Sequence, residues 1–200
     1  MGMLRGLVLV LLLLAGSTSV LADTTEDCNE KSGDVSIAGC TELIRLNPSN
    51  GPAYYNRGNA YNAKGELDQA IADYAKAIEI DPKWPAVYIN RAFVYTKKGE
   101  YDRAIEDTTK AIEINPKLAL AYLNRGDANN AKGDIDRAIE DTTKAIEINP
   151  KLAVAYRIRG IAYERKGETQ SAIADYRQAL AINTSDHYAL DALKRLGAAP

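Results

Sequence analysis

Four arginines recur along the chain with a 34-residue period, and an aspartate follows each of them at a constant distance. A row of guanidinium groups can bind an anionic ligand, because each presents several fixed N–H donors. The same groups can instead pair with carboxylates, within one repeat or between neighbouring repeats, while their alkyl stems pack on apolar surface. Because the spacing never changes, the sequence favours pairing over an anion-binding strip. The residues are Arg57 and Asp73, Arg91 and Asp107, Arg125 and Asp141, and Arg159 and Asp175.

The only two cysteines, Cys28 and Cys40, both precede the first full repeat. A metal site would need further ligands, and the single histidine, His187, is far away in the sequence. Redox catalysis favours a Cys-x-x-Cys spacing, which this pair lacks. An isolated, even pair of cysteines in an oxidising compartment forms a structural disulfide. We therefore predict a disulfide between Cys28 and Cys40, and no metal site.

No catalytic set of residues is recognisable in the sequence. It has no glycine-rich phosphate loop, no G-x-S-x-G motif and no paired histidine ligands. His187 would be an isolated base, without a serine or cysteine partner in a recognisable context. The glycines mostly follow the 34-residue period, so helix ends and close packing explain them better than chemistry does. We predict that the protein is not an enzyme and binds no cofactor.

Internal repetition is the strongest feature of the sequence. The block DRAIEDTTKAIEINPKLA begins at Asp102 and recurs unchanged at Asp136. A fixed period of this length is typical of repeat proteins, in which each unit buries its apolar faces against its neighbours. Positions in the 34-residue register include Pro48, Pro82, Pro116 and Pro150, Tyr54, Tyr88, Tyr122 and Tyr156, Gly65, Gly99, Gly133 and Gly167, and Ala70, Ala104, Ala138 and Ala172.

Each repeat is predicted to be a pair of α-helices. In residues 51–84, Gly65 ends the first helix, because glycine accepts the left-handed conformation past a helix C-terminus. The second helix runs from its predicted N-cap, Asp68, to Ile80, with apolar residues at three- and four-residue intervals. Pro82 stops it, because the residue before a proline is disfavoured in helical geometry. The predicted fold class is therefore all-α, built from helical hairpins.

The same pattern divides the whole chain into units. Half a repeat precedes the array, and one helix with charged and apolar residues follows it as a cap. We predict a disulfide-tied half repeat at 23–50, full repeats at 51–84, 85–118, 119–152 and 153–186, and a capping helix with a tail at 187–200.

The segment at 1–22 has the composition of a secretory signal peptide. Arg5 precedes an apolar run at residues 7–15, and small or branched residues form a cleavage motif ending at Ala22. The run is shorter than the ~18 residues of a membrane-spanning helix, so cleavage is favoured over an uncleaved anchor and no membrane insertion is expected afterwards. Loss of Arg5 changes the net charge from −2 to −3. Without a basic stripe, nucleic acid is not an expected partner.

The array resembles the tetratricopeptide repeat family. The family signature is an aromatic residue, a glycine or alanine four residues later, and a tyrosine three residues after that. It stands as Tyr54, Gly58 and Tyr61 in the first repeat, Tyr88, Ala92 and Tyr95 in the second, and Tyr156, Gly160 and Tyr163 in the fourth. The third repeat departs at Asn129, and Thr108 and Thr142 replace a downstream aromatic residue. The resemblance implies a right-handed α-solenoid.

The leading half repeat is also similar to exported bacterial proteins of this family. In these proteins one cysteine precedes the stub helix and a second lies within it, and Cys28 and Cys40 match those positions. The resemblance implies a periplasmic or extracellular location. It also implies that the disulfide caps the exposed end of the array, where the closed loop would contribute roughly 2–3 kcal/mol by restricting the unfolded chain.

The resemblance further implies a ligand groove on the concave face, which the first helices of the repeats line. The groove positions include a row of asparagines, whose amides can donate to and accept from a peptide backbone. These amides can equally bridge adjacent helices. The cations with which chaperone-binding members hold a C-terminal carboxylate are missing. The implied peptide-binding residues are Tyr55, Asn56, Asn59, Ile89, Asn90, Phe93, Leu123, Asn124, Asp127 and Arg157.

Together these observations indicate a non-catalytic adaptor or scaffold of the bacterial envelope that binds an extended polypeptide in its groove. The alternative is a structural or self-associating module of an envelope complex that uses its convex face or its ends. Only the first interpretation predicts that groove substitutions abolish partner binding while the protein stays folded.

Overall fold

The computed structural model describes residues 22–29 and 33–199. Within these residues there are ten helices with defined bounds, a further helical segment at 22–29, and no β-strand. The predicted all-α class of helical-hairpin repeats is therefore confirmed. Residues 1–21 of the predicted signal peptide lie outside the described residues.

The described helices belong to two compact units. The first unit ends at Pro82 and the second begins at Lys83. The first unit contains the segment 22–29 and the helices α1 (Gly33–Leu46), α2 (Gly51–Lys64) and α3 (Leu67–Ile80). The second contains α4 (Pro85–Lys98), α5 (Tyr101–Ile114), α6 (Ala119–Lys132), α7 (Ile135–Ile148), α8 (Ala153–Lys166), α9 (Thr169–Ile182) and α10 (His187–Arg195). In both units, helices that follow each other within a repeat pack as antiparallel hairpins.

The turn inside each repeat is tighter than the sequence suggested. Gly65 follows α2 with φ of 80°, in the left-handed region, as predicted. The N-cap of α3 is Glu66, however, and not Asp68, which lies in the first helical turn. The N-cap prediction was wrong because the left-handed glycine reverses the chain so sharply that the next residue, Glu66, already serves as the N-cap. The Asp68 carboxylate still sits at the positive end of the helix dipole.

Asparagine side chains shape the turns between repeats. Asn115 Oδ1 accepts a hydrogen bond from the Lys117 backbone N–H at 3.0 Å. Asn183 Oδ1 accepts one in the same way from Ser185 N–H at 3.2 Å. Such Asx turns hold the backbone without help from a following proline. This explains why Thr184 can replace the proline of the other repeats.

The two helices of a hairpin approach each other where a small residue faces a larger one. A Cβ atom on Gly160 of α8 would lie only 2.8 Å from Cε1 of Tyr176, a fully buried ring on α9. In the repeat formed by α4 and α5, the same two positions are Ala92 and Thr108, both fully buried. An extra methyl group on the first helix is thus matched by a smaller side chain on the second.

The predicted disulfide is present at the N-terminal end. Cys28 and Cys40 are bonded, which joins the segment 22–29 to α1, and both are buried. Gly39 permits the close approach of the two elements, since a Cβ atom there would lie 2.9 Å from the Cys28 backbone nitrogen. Ser36 Oγ donates a hydrogen bond to the Cys28 carbonyl at 3.1 Å. Backbone, hydroxyl and disulfide contacts therefore all hold this segment.

Gly160→Ala should destabilise the protein by about 1–3 kcal/mol, because the new methyl group overlaps the Tyr176 ring. Gly126→Ala is the matched control. Its Cβ atom would lie 2.8 Å from Thr142 Cγ2 in the present backbone, but the same alanine–threonine pair already packs at Ala92 and Thr108, so a small shift of the helices should accommodate it. The unfolding free energy of Gly126→Ala should therefore stay within about 1 kcal/mol of wild type. Urea denaturation followed by circular dichroism measures both variants. Equal losses in the two variants would contradict this account of the packing.

Cys40→Ser should loosen the N-terminal end selectively, because repeat arrays are held mainly by contacts between neighbours. Amide hydrogen exchange should quicken in 22–29 and in α1, whereas α6 and α7 should exchange at the wild-type rate. Uniformly faster exchange throughout the chain would show that the disulfide supports the whole fold and not one end.

Candidate functional site

The arginine ladder forms an internal series of ion pairs. Arg91 donates from Nε to Asp107 Oδ2 and from Nη2 to Asp107 Oδ1, both at 2.7 Å. The two side chains are only 17% and 7% exposed. Each pair joins the first helix of a repeat to its own second helix, as two parallel bonds that fix direction as well as distance. The other three are Arg57–Asp73, Arg125–Asp141 and Arg159–Asp175. The predicted pairing is confirmed in its within-repeat form.

The asparagine row provides contacts between adjacent helices. Asn124 Nδ2 of α6 donates to the Ile89 carbonyl of α4 at 3.3 Å. In the first unit, Asn56 Nδ2 donates to Asn29 Oδ1 at 2.8 Å, and Asn59 Oδ1 accepts from the Tyr74 hydroxyl at 2.8 Å. These three predicted groove amides therefore have structural partners, as the bridging interpretation expects.

The first helices of the second unit lie side by side. Helix α4 contacts α6, and α6 contacts α8. Arg165 of α8 also donates to the backbone and side-chain oxygens of Asn130 on α6. Residues at equivalent positions of these helices therefore share one continuous surface. We call this surface the first-helix face.

The predicted apolar residues of this face divide into buried and exposed side chains. Ile89 and Leu123 are only 8% and 6% exposed, so they pack between helices. Phe93 is 46% exposed, and the Lys97 ammonium lies 5.6 Å from the centre of its ring. In the first unit, the Tyr55 ring is tilted against Tyr74, with ring centres 6.1 Å apart. Phe93 is thus the predicted apolar residue with the most surface open to a ligand.

Three further exposed apolar side chains belong to the same register. Leu120, Val154 and Tyr188 occupy the same position in the first turns of successive helices, and they are 53%, 37% and 46% exposed. Seven residues separate Leu120 from Asp127, a spacing that places both on one side of α6. These three residues are not among the predicted peptide-binding residues. The sequence does indicate them, because an apolar residue recurs at this position, whereas the start of a solvated helix would be polar.

The surroundings of Asp127 change the acidity of its carboxyl group. Its side chain is half-buried on α6, and burial raises the pKa of its carboxyl group while the Arg157 charge acts in the opposite direction. Arg157 also forms an ion pair with a second carboxylate. Its Nε lies 3.1 Å from Oδ2 of Asp186, the N-cap of α10. Two carboxylates share one guanidinium, so this part of the face has an excess of negative charge.

Sequence models described as tetratricopeptide repeat match residues 40–72, 85–118, 119–152 and 153–186, and one described as TPR repeat matches residues 58–99. Together they cover residues 40–186. The chain therefore belongs to the tetratricopeptide repeat family, whose members are protein-interaction modules and are generally not catalytic.

Solved structures with the same fold agree with this assignment. The protein MamA is 28% identical over 76% of this chain and 88% of its own, with a TM-score of 0.69. A MamA fragment from Desulfovibrio magneticus RS-1 is 18% identical over 84% and 96% of the two chains, with a TM-score of 0.74. YrrB, a TPR protein with an unusual peptide-binding site, is 23% identical over 90% and 87%, with a TM-score of 0.67. No curated protein sequence matches the chain.

In 22–29 and 33–199, no helix combines the length and the apolar character needed to cross a bilayer.

Asp127→Asn should stabilise the protein at neutral pH. A carboxyl group with a raised pKa binds protons more readily when folded than when unfolded, so ionisation opposes folding as the pH rises through its folded-state pKa. In the wild-type protein, this fall in stability occurs as the pH rises above the ordinary aspartate pKa of 3.8, and the variant should not show it. Thermal melts between pH 4 and pH 8 test this. Glu106→Gln, at an exposed site on α5, is the control, and a lower melting temperature for Asp127→Asn at pH 7 would contradict the account.

Proposed function

We propose that the protein is a non-catalytic adaptor that binds an extended polypeptide on its first-helix face. The observation that carries this proposal is the row of exposed apolar side chains beside one half-buried carboxylate. Among the described residues of the second unit, the exposed large apolar side chains are Phe93, Leu120, Val154 and Tyr188, whereas three others, Val35, Leu46 and Ile80, lie in the first unit. Contiguous exposed apolar surface with a polar surround is typical of a protein-binding site.

The charge at this face favours a particular ligand. The Asp127 side chain makes no hydrogen bond among the described residues, and the Arg157 charge that acts on it already pairs with Asp186. A lysine or arginine side chain from the ligand would supply the missing positive charge. The apolar residues on both sides would hold apolar ligand side chains. The preferred segment therefore has one basic residue flanked by apolar residues, the reverse of recognition of an acidic tail.

The proposed location is the bacterial envelope. The composition of residues 1–22 supports export. The disulfide between Cys28 and Cys40 supports an oxidising compartment, since disulfides persist in the periplasm and outside cells. There the protein would bring its polypeptide partner to a larger assembly. Fractionation of cells that produce the full chain tests this part, and finding the intact, unprocessed chain in the cytoplasm would contradict it.

Selection from a random-peptide display library tests the ligand chemistry. Peptides that bind the wild-type protein should be enriched in a lysine or arginine between apolar residues. Asp127→Asn should bind the selected peptides about 10- to 150-fold more weakly, because a hydrogen bond to a charged group is lost. Glu113→Gln, on the exposed side of α5, should bind normally. Equal binding by wild type and Asp127→Asn would refute the basic-residue preference, and failure to select any peptide would refute peptide binding.

A second set of variants separates the face from the arginine ladder. Phe93→Ala should weaken binding of the selected peptides, because apolar contact is lost. Asn90→Ala should reduce the binding free energy by ~1–3 kcal/mol if its amide contacts the peptide backbone. Arg91→Ala should instead lower thermal stability and leave the affinity of the folded protein unchanged, because Arg91 points towards Asp107. Titration calorimetry measures all three. Lost binding in a folded Arg91→Ala variant, with normal binding by the other two, would place the contact surface on the ladder.

A further inference from the structure

The third repeat departs from the others around its ion pair. In the other repeats the arginine lies between two tyrosine rings, as Arg91 does with ring centres 5.9 Å and 5.8 Å away, at Tyr88 and Tyr95. Arg159 has the same arrangement with Tyr156 and Tyr163. Among the described residues, Arg125 faces a single ring, that of Tyr122 at 5.6 Å. The second ring is missing because Asn129 occupies its position.

A second arginine has also lost its aromatic partner. In the repeat formed by α4 and α5, Arg103 lies 4.1 Å from the centre of the Tyr95 ring and donates from Nη2 to the Tyr95 hydroxyl at 2.6 Å. The equivalent residue in the third repeat is Arg137. Its side chain is 73% exposed and forms a loose ion pair with Asp134 at 4.0 Å. Two guanidinium groups therefore border the place that a tyrosine ring fills elsewhere.

A cavity of about 290 Å³ occupies this region, between α5, α6 and α7. This volume is at the small end for ligand sites and suits one ring better than a larger molecule. Two acidic and two basic side chains line it, so its charges balance and an uncharged guest is favoured. Its lining residues are Ile105, Thr109, Arg125, Asn129, Arg137, Glu140 and Asp141.

Asn129 provides an unsatisfied acceptor at this site. The residue is only 2% exposed, and its Nδ2 donates to Asp141 Oδ2 at 3.0 Å. That bond identifies which amide atom is the nitrogen, because a carboxylate can only accept. Its Oδ1 is buried and has no hydrogen-bond partner within the described part of the chain. Such an atom is costly to leave unpaired, and a guest with a hydroxyl donor would satisfy it after a small rotation of the amide.

We propose that this cavity is a second binding site, which accepts the phenol side chain of a tyrosine from a protein partner. The ring would stack on Arg125 and Arg137, as Tyr95 does on Arg91 and Arg103, and its hydroxyl would donate to Asn129 Oδ1. The site is separate from the first-helix face, because Arg125 and Asn129 each lie two residues beyond a face position of α6 and so point to its other side.

Nuclear magnetic resonance titration with N-acetyl-tyrosinamide and N-acetyl-phenylalaninamide tests the proposal directly, since these probes differ only in the hydroxyl group. The tyrosine probe should shift the side-chain resonances of Asn129 and Arg125 and bind roughly fivefold or more tightly than the phenylalanine probe. Equal affinities, no saturable shift, or shifts confined to Phe93 and Asp127 would overturn the proposal.

Two variants define the site. Asn129→Tyr restores the residue that the other three repeats carry, as Tyr61, Tyr95 and Tyr163, so it should fold and fill the cavity. Binding of the tyrosine probe should then fall more than tenfold. Arg137→Ala removes one exposed guanidinium. The variant should stay folded, and its affinity for the tyrosine probe should fall roughly two- to fivefold. Wild-type affinity in either folded variant would overturn the proposal.

Discussion

The bidentate ion pair between the two helices of each repeat is the interaction on which the rest of the structure depends. It joins Arg57, Arg91, Arg125 and Arg159 to aspartates on the second helices with nearly the same geometry. Removing one partner would leave a buried charge unpaired, which typically costs about 3–5 kcal/mol. The pair therefore fixes how each hairpin closes. It also withdraws these four arginines from the surface, so they do not make the first-helix face basic.

The repeats share this ion pair but differ in the side chains that surround it. Tyrosine rings cover both sides of the guanidinium in three repeats, whereas the third repeat has Asn129 in place of one ring. The first-helix face varies in a similar way, with Phe93, Asp127 and Ile161 at equivalent positions. A regular array thus carries local differences that give individual repeats distinct chemistry, which is how a family with one fold serves many partners.

Much of the fold could be predicted from the sequence because periodicity records it directly. The 34-residue register predicted the hairpins, and the constant Arg–Asp spacing predicted the ion pairs. The sequence did not show that Ile89 and Leu123 are buried while Leu120 is exposed. That distinction depends on how neighbouring first helices pack, which spacing within one helix does not reveal. The Asn129 substitution was visible, but its unpaired Oδ1 could be found only once Asp141 had been placed beside it.

Site-specific photo-crosslinking tests the central claim, that the first-helix face is the polypeptide-binding surface. A benzophenone amino acid would replace Leu120 on this face or, as a control, Lys110 on α5, two positions that are similarly exposed. Each protein would be illuminated with the same selected peptide. The account predicts a covalent peptide adduct from position 120 and none from position 110. An adduct from position 110 alone would contradict it.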